Sequence, residues 1–250
     1  MADTPSLLTL PDVERAQFEK NFIKTAVCEF RFPALLEFET KPPVQLQKEL
    51  RKDLPHYDRQ QSVSLNDPAD REVKHLFKSK KGDWIVSFRS SAIAIETSRY
   101  THFEDFQQQV QLVLDKSKPL LDTDFFTRVG LRYINEVQIE DRKLDGWIRE
   151  ELIEPLVNGV YGTVDRFAQE VRGVTKNGKY SFRHGILGIE ADRRDLYTID
   201  FDFYNENVEV SAVLPLISEF NKESFRFFSW VIGPKVKERL GKTIQTRGHK

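Results

Sequence analysis

The sequence predicts an α+β fold, with antiparallel sheets and helices packed on one face, in two β-rich halves each closed by a helix. Three observations lead there. Apolar and polar residues alternate along several short runs, of which 126–139 is the longest, and period-two patterning belongs to strands with one buried face. Asn177 and Gly178 stand between two such runs, and this dipeptide is strongly favoured in hairpin turns. Helical spacing is confined to separate stretches, without the regular strand-helix-strand alternation of a doubly wound parallel sheet.

An amphipathic start over 13–22 leads into a strand over 25–32, where Ala26, Cys28, Phe30 and Phe32 form one apolar face. Pro42 and Pro43 open a helix over 44–54 that Pro55 closes. Residues 57–65 and 72–79 read as strands, and a polar turn at Gly82 leads to further strands over 84–88 and 92–97. Thr101 and Glu104 have the spacing of a capping box ahead of Phe103, Phe106, Val110, Val113 and Leu114, so a helix runs from there to Pro119. The strand 126–139 puts Val129, Leu131, Tyr133, Val137 and Ile139 on one face, with Arg128, Arg132, Glu136 and Gln138 on the other. A helix over 145–158 bridges to strands over 163–175, 179–190 and 195–204. Helices over 212–220 and 222–240 close the chain, the second broken at Gly233 and Pro234.

This order divides the chain into an N-terminal half, 1–140, a C-terminal half, 141–241, and a basic tail, 242–250. Phe103, Phe106, Val110 and Leu114 share their spacing with Phe225, Phe228, Ile232 and Val236, which fits either a duplication or the common pattern of amphipathic helices.

Composition narrows the functional classes. At 250 residues, with 39% hydrophobic side chains and nineteen Phe, the chain carries ample apolar area for a core, so disorder is excluded. Lys plus Arg number 38 against 39 Asp plus Glu, so global charge demands neither a polyanionic partner nor a membrane surface. The first twenty residues contain Asp3, Asp12, Glu14 and Glu19 and no apolar signal core, and no run is long enough to span a bilayer, so a soluble cytosolic protein is expected. Cys28 is the lone cysteine and lies on an apolar strand face, which reads as an inert core thiol. From Lys222 onward eight basic residues meet only Glu223 and Glu238, a phosphate-attracting excess that is more commonly a solvated helix face and a loose terminus.

No spacing matches a motif specific enough to name a reaction. Glu72 and Lys74, with Asp58 upstream, have the residue types of a metal-dependent nuclease, but the pattern acid-x-Lys also occurs at Glu39 and Lys41 and at Asp141 and Lys143, about as often as composition alone produces it. Asp200 and Asp202 share one strand face opposite Tyr197, Ile199, Phe201 and Phe203 and offer two carboxylates to a divalent ion. The structural alternatives are a solvated face of an antiparallel sheet, and pairing with Arg128 and Arg132 if the two strands are neighbours. His184 shares a face with Tyr180 and Glu190, the makings of an acid/base pair or merely a polar sheet surface. No histidine pair has metal spacing, and the glycines at 159 and 162 or 185 and 188 lack the Lys and Ser/Thr of a phosphate loop, so no cofactor is expected. Trp84, Trp147 and Trp230 read as interface anchors or as core packing.

The run Phe125-Phe126-Thr127-Arg128-Val129-Gly130-Leu131-Arg132-Tyr133-Ile134-Asn135, preceded by Tyr100, Phe103 and Phe106 at helical spacing, resembles a sporadically distributed family of uncharacterised bacterial proteins of about this size. The resemblance covers most of the chain and implies no activity; it implies cargo of mobile or defence-associated elements. On physical grounds Gly130 shares a face with Arg128 and Arg132, so it admits either a ligand between two guanidinium groups or a bulge or tight crossing of backbone.

The expectation is therefore a cytosolic, non-catalytic binding or accessory protein whose candidate contact residues are Arg128, Gly130, Arg132, Asn135, Asp200 and Asp202. Its partner would be a protein, a second copy of the chain included, and nucleic acid would enter only through the basic C-terminal segment. The rivals are a metal-dependent hydrolase or nuclease using Asp200 and Asp202, and a small-ligand protein with a cavity between helices and sheet.

Overall fold

The computed structural model describes residues 6–13, 18–63, 71–140, 143–187 and 195–241. Among the described residues nine strands hydrogen-bond in the order β2-β3-β4-β5-β1-β6-β9-β8-β7, forming an antiparallel sheet, and five α-helices accompany it. The strands are β1 (Ile23–Arg31), β2 (His56–Val63), β3 (Arg71–Lys78), β4 (Trp84–Arg89), β5 (Ala92–Thr97), β6 (Phe125–Gln138), β7 (Phe167–Thr175), β8 (Gly178–Ile186) and β9 (Leu196–Glu209). The helices are α1 (Val44–Leu50), α2 (Phe103–Leu121), α3 (Glu150–Val157), α4 (Val213–Val231) and α5 (Pro234–Leu240). The α+β class expected from the alternating runs is the class observed.

Contacts gather the chain into two compact units, residues 25–132 with 204–218, and residues 1–24 with 133–203 and 219–250. Both are assembled from separated stretches, whereas the sequence division runs through continuous halves. In the first unit, β1 pairs with β5, β5 with β4, β4 with β3 and β3 with β2. Alternation sends Ala26, Cys28 and Phe30 of β1, Val86 and Phe88 of β4, and Ile93 and Ile95 of β5 into the core. Helix α2 covers this face with Phe103, Phe106, Val110, Val113 and Leu114, and Phe106 stacks on Trp84 at 5.9 Å. In the second unit β7 and β8 form a hairpin, and α4 buries Phe220, Phe227 and Val231. Phe227 meets Phe182 of β8 at 4.6 Å and Phe201 of β9 at 5.0 Å.

Several boundaries differ from the sequence reading, each for a local reason. The N-cap of α2 is His102, without a side-chain cap bond; Thr101 donates its hydroxyl to Asp105 at 2.7 Å, so the capping box does not form. Helix α2 also passes through Pro119 to Leu121, because buried Leu121 holds the last turn against the core and Asp122 ends it in the left-handed region at φ 40°. The helix expected over 145–158 begins only at Glu150: Gly146 takes φ +74° and Ile148 forms a β-bridge with Ile232. The hairpin turn is one residue early. Thr175 pairs with Gly178, so Lys176 and Asn177 are its central residues, neither with positive φ, and Gly178 takes φ 155°.

The two closing helices predicted over 212–240 divide differently. Helix α4 is continuous past residue 221, because Val213, Ile217, Phe220, Ser224, Phe227 and Val231 keep one buried stripe. The break falls at Gly233 and Pro234 as expected. A Cβ on Gly233 would collide with the Gly146 carbonyl oxygen, so only glycine fits there. The buried stripe of α4 does not contain Phe225 or Phe228, and the spacing shared with α2 therefore does not describe the face α4 uses.

Candidate binding surface

The strand β6 carries four of the candidate residues. Val129, Leu131, Tyr133 and Val137 are buried at every second position, and so is Phe126, which packs on Phe30 at 5.2 Å. Phe126 and Val129 are three apart, so the buried parity shifts by one between them, as an inserted residue makes it do. Arg128 emerges at that shift. Its guanidinium folds back over Gly130, where a Cβ would lie 2.6 Å from Arg128 Nη1, and sits 4.5 Å from the centre of the Tyr204 ring. The close approach that Gly130 permits is thus made by Arg128 itself, whose side chain is only 16% exposed.

Arg128 Nη1 donates to Glu29 Oε1 at 3.3 Å. Glu29 is a hub: Oε1 also accepts from Arg31 Nε at 2.7 Å, and Oε2 accepts from Arg89 Nη2 at 3.1 Å. Arg89 continues the chain to Glu72 at 3.0 Å. Three guanidinium groups and two carboxylates therefore link β3, β4, β1, β6 and β9 on the polar face of this unit. The partly buried carboxylate is worth more here than an isolated surface pair, since its loss would leave three cations facing one another. The sequence reading missed Glu29; its signal was the polar position between Cys28 and Phe30, two residues before Arg31.

The other candidates occupy different surroundings. Strands β6 and β9 are neighbours, as the pairing of Arg128 and Arg132 with Asp200 and Asp202 requires, and Arg128 also reaches Glu29 and Tyr204. Arg132, Asp200 and Asp202 each have an interacting neighbour, and Asp200 is 7% exposed. Asn135, 4% exposed, donates from Nδ2 to the Ile199 carbonyl at 3.1 Å and so ties β6 to β9. Two residues before it, Tyr133 donates its hydroxyl to Asn221 of α4 at 3.0 Å.

The nuclease-like set is spread out. Asp58 stands opposite Leu76 and Glu72 opposite Ser62, which separates the two acids by four positions of one ladder, roughly 13 Å. Asp58 pairs with Lys78 at 3.2 Å, which holds its carboxyl below the usual range, and Glu72 pairs with Arg89. Among the described residues no three His, Cys, Asp or Glu side chains gather as a metal site would need. Glu190, proposed beside His184, lies outside the described residues, as do Asp141 and the tail 242–250. Of the basic C-terminal segment, Lys222 pairs with Glu219, Arg226 with Asp12, and Arg239 with Glu140.

His184 is buried, 0% exposed, and stacks on Phe182 at 4.7 Å. Its Nδ1 is hydrogen-bonded to the Tyr197 hydroxyl at 2.6 Å, while Nε2 is buried without a partner. Burial lowers the imidazole pKa to about 4 and pushes the Tyr197 phenol well above its ordinary value. Trp147 is 2% exposed under the Arg239 guanidinium at 4.4 Å, and Trp230 stacks with Arg149 at 4.7 Å, so both pack within their unit. A hollow of about 350 Å³ lies between the starts of α3 and α5, lined by Arg149, Glu150, Glu151, Ile153 and Lys237 among others. Apolar side chains, Ile148, Val157 and Ile232, share its lining with the charged ones.

The terminal strands are the most open elements. In β2 the residues from Tyr57 to Ser62 are exposed, and in β7 those from Ala168 to Arg172 are. Val171 is 44% exposed. Tyr180 lies across Gly173, where a Cβ would come within 2.6 Å of the ring. Among the described residues no helix is long and apolar enough to cross a membrane. No family model matches the chain, and no curated protein matches it.

Proposed function

We propose that the protein is a non-catalytic binding component that meets a protein partner along the open edges of its sheet. The observation that carries this is the exposure of five successive residues, Ala168 to Arg172, on the terminal strand β7. An edge strand left open in this way is a template for strand addition, in which main-chain hydrogen bonds supply affinity and side chains supply specificity. The Glu29 hub supports the same reading, since its charges are spent joining strands to one another. Accessory work beside a mobile or defence-associated element is the setting that the β6 motif favours.

The test exploits the two sides of β7. The Val174 carbonyl accepts from Leu8 N–H at 2.9 Å, so it points away from β8, and alternation turns the amide of Arg172 outward as well. Arg172→Pro removes an outward donor while leaving the β7–β8 ladder intact. A partner captured from bacterial extract by the wild-type chain should be lost with Arg172→Pro at unchanged unfolding midpoint. Capture that is indifferent to Pro at both edges, or Mg²⁺ or Mn²⁺ binding abolished by Asp200→Ala, would defeat the reading.

A further inference from the structure

We propose that the edge of β7 pairs with the same strand of a second copy of this chain, antiparallel about a twofold axis through Val171. The inference rests on the partner-binding reading and names the partner. Because Val174 and its alternate neighbours Arg172, Glu170 and Ala168 turn their backbone groups outward, a second strand pairs only by setting outward residues opposite outward residues. Three registers centre on the exposed stretch. One sets Glu170 against Glu170 and another Arg172 against Arg172, and like charges directly opposite destabilise a ladder. The third sets Glu170 against Arg172 of the second copy, twice by symmetry, with Val171 against Val171 on the other face.

The side chains suit that third register. Glu170 and Arg172 project from the same face, where Arg172 Nε donates to Glu170 Oε1 at 2.7 Å. Arg183 Nε lies 3.3 Å from the same oxygen, and Ser181 donates to it at 3.1 Å, so the carboxylate is fixed beside the dyad. Its pKa is lowered, first by the Arg172 hydrogen bond, and it stays ionised at neutral pH. On the opposite face the exposed Val171 would gain an apolar mate. Leu8 occupies the Val174 carbonyl, which bounds the new ladder and centres it on residues 170–172.

Sedimentation of the full chain over a range of concentrations tests the pairing. The wild type should dimerise, Glu170→Arg and Arg172→Glu should each weaken dimerisation about tenfold or more, and the double reversal should restore it. Val171→Cys should form a symmetric disulfide under mild oxidation, because a non-hydrogen-bonded pair places its Cα atoms about 4.5 Å apart, within disulfide range. Gln169→Cys should not, since its opposite residue is Gly173. A monomer at every concentration, a dimer indifferent to the single reversals, or a disulfide at 169 in place of 171 would overturn the proposal. If the monomeric chain captures a different protein in a manner lost with Arg172→Pro, self-pairing fails while the partner-binding reading stands.

Discussion

Acid should unfold this protein through His184. Its imidazole is buried between aromatic rings, its Nδ1 is held by Tyr197, and its Nε2 has no acceptor to receive a second N–H. The folded pKa is lowered from 6.5 to about 4, so the unfolded chain binds the proton more readily than the folded one. Stability from this group is complete above pH 6.5 and declines as the pH falls toward 4. The full loss is about 3 kcal/mol, of which about 2 kcal/mol is gone by pH 5. Tyr197 stays neutral throughout this window because burial raises its pKa. The comparison is the double variant His184→Phe with Tyr197→Phe, which replaces both partners by apolar rings of similar shape. His75, whose pKa burial also lowers, titrates in both proteins and cancels. Urea unfolding at pH 7.5, 6 and 5 should show the wild type losing about 2 kcal/mol relative to the double variant between the extremes. A difference that stays constant across that range would refute the reasoning.

Three further outcomes follow from particular contacts. Burial, first of all, raises the Cys28 thiol pKa far above its ordinary value, so a thiol reagent should leave the native protein unmodified and react fully once urea unfolds it. Glu29→Gln should destabilise by about 1 to 3 kcal/mol in thermal or urea unfolding, because Arg31, Arg89 and Arg128 lose their common carboxylate; a neutral result would mean that the hub holds nothing. Gly233→Ala should cost about 2 kcal/mol or more through collision with the Gly146 carbonyl, measurable as a lowered unfolding midpoint, whereas Gly159→Ala meets no neighbour and should suffer only its positive φ.

The elements were legible where periodicity was long and unopposed. Strands β4 and β5 and the buried stripe of α2 follow directly from alternation and helical spacing, because burial of one face leaves its mark on residue type. Local signals were overridden where distant packing decided. Thr101 has capping-box spacing, yet Asp105 takes its hydroxyl; Pro119 is a helix breaker, yet buried Leu121 keeps the turn beyond it. The site was legible only in outline. Arg128 and Gly130 were recognisable as an unusual pair on one strand face, but their shared feature is that the arginine lies over its own glycine. Glu29, ninety-nine residues away in the chain, could not be assigned to Arg128 without the pairing of strands.

By itself the sequence determined which side chains are buried along most strands and helices, because hydrophobic periods of two and 3.6 residues are properties of the chain alone. It also determined that Cys28 is a core residue and that His184 and Tyr197 each lie on a strand. Only the tertiary structure decided that β7 and β2 end the sheet, that Glu29 gathers three arginines, and that His184 faces Tyr197 in an apolar setting. The reason is physical: strand order and register are set by which hydrophobic faces close on one another across long chain separations, and every ion pair and edge inherits its position from that choice.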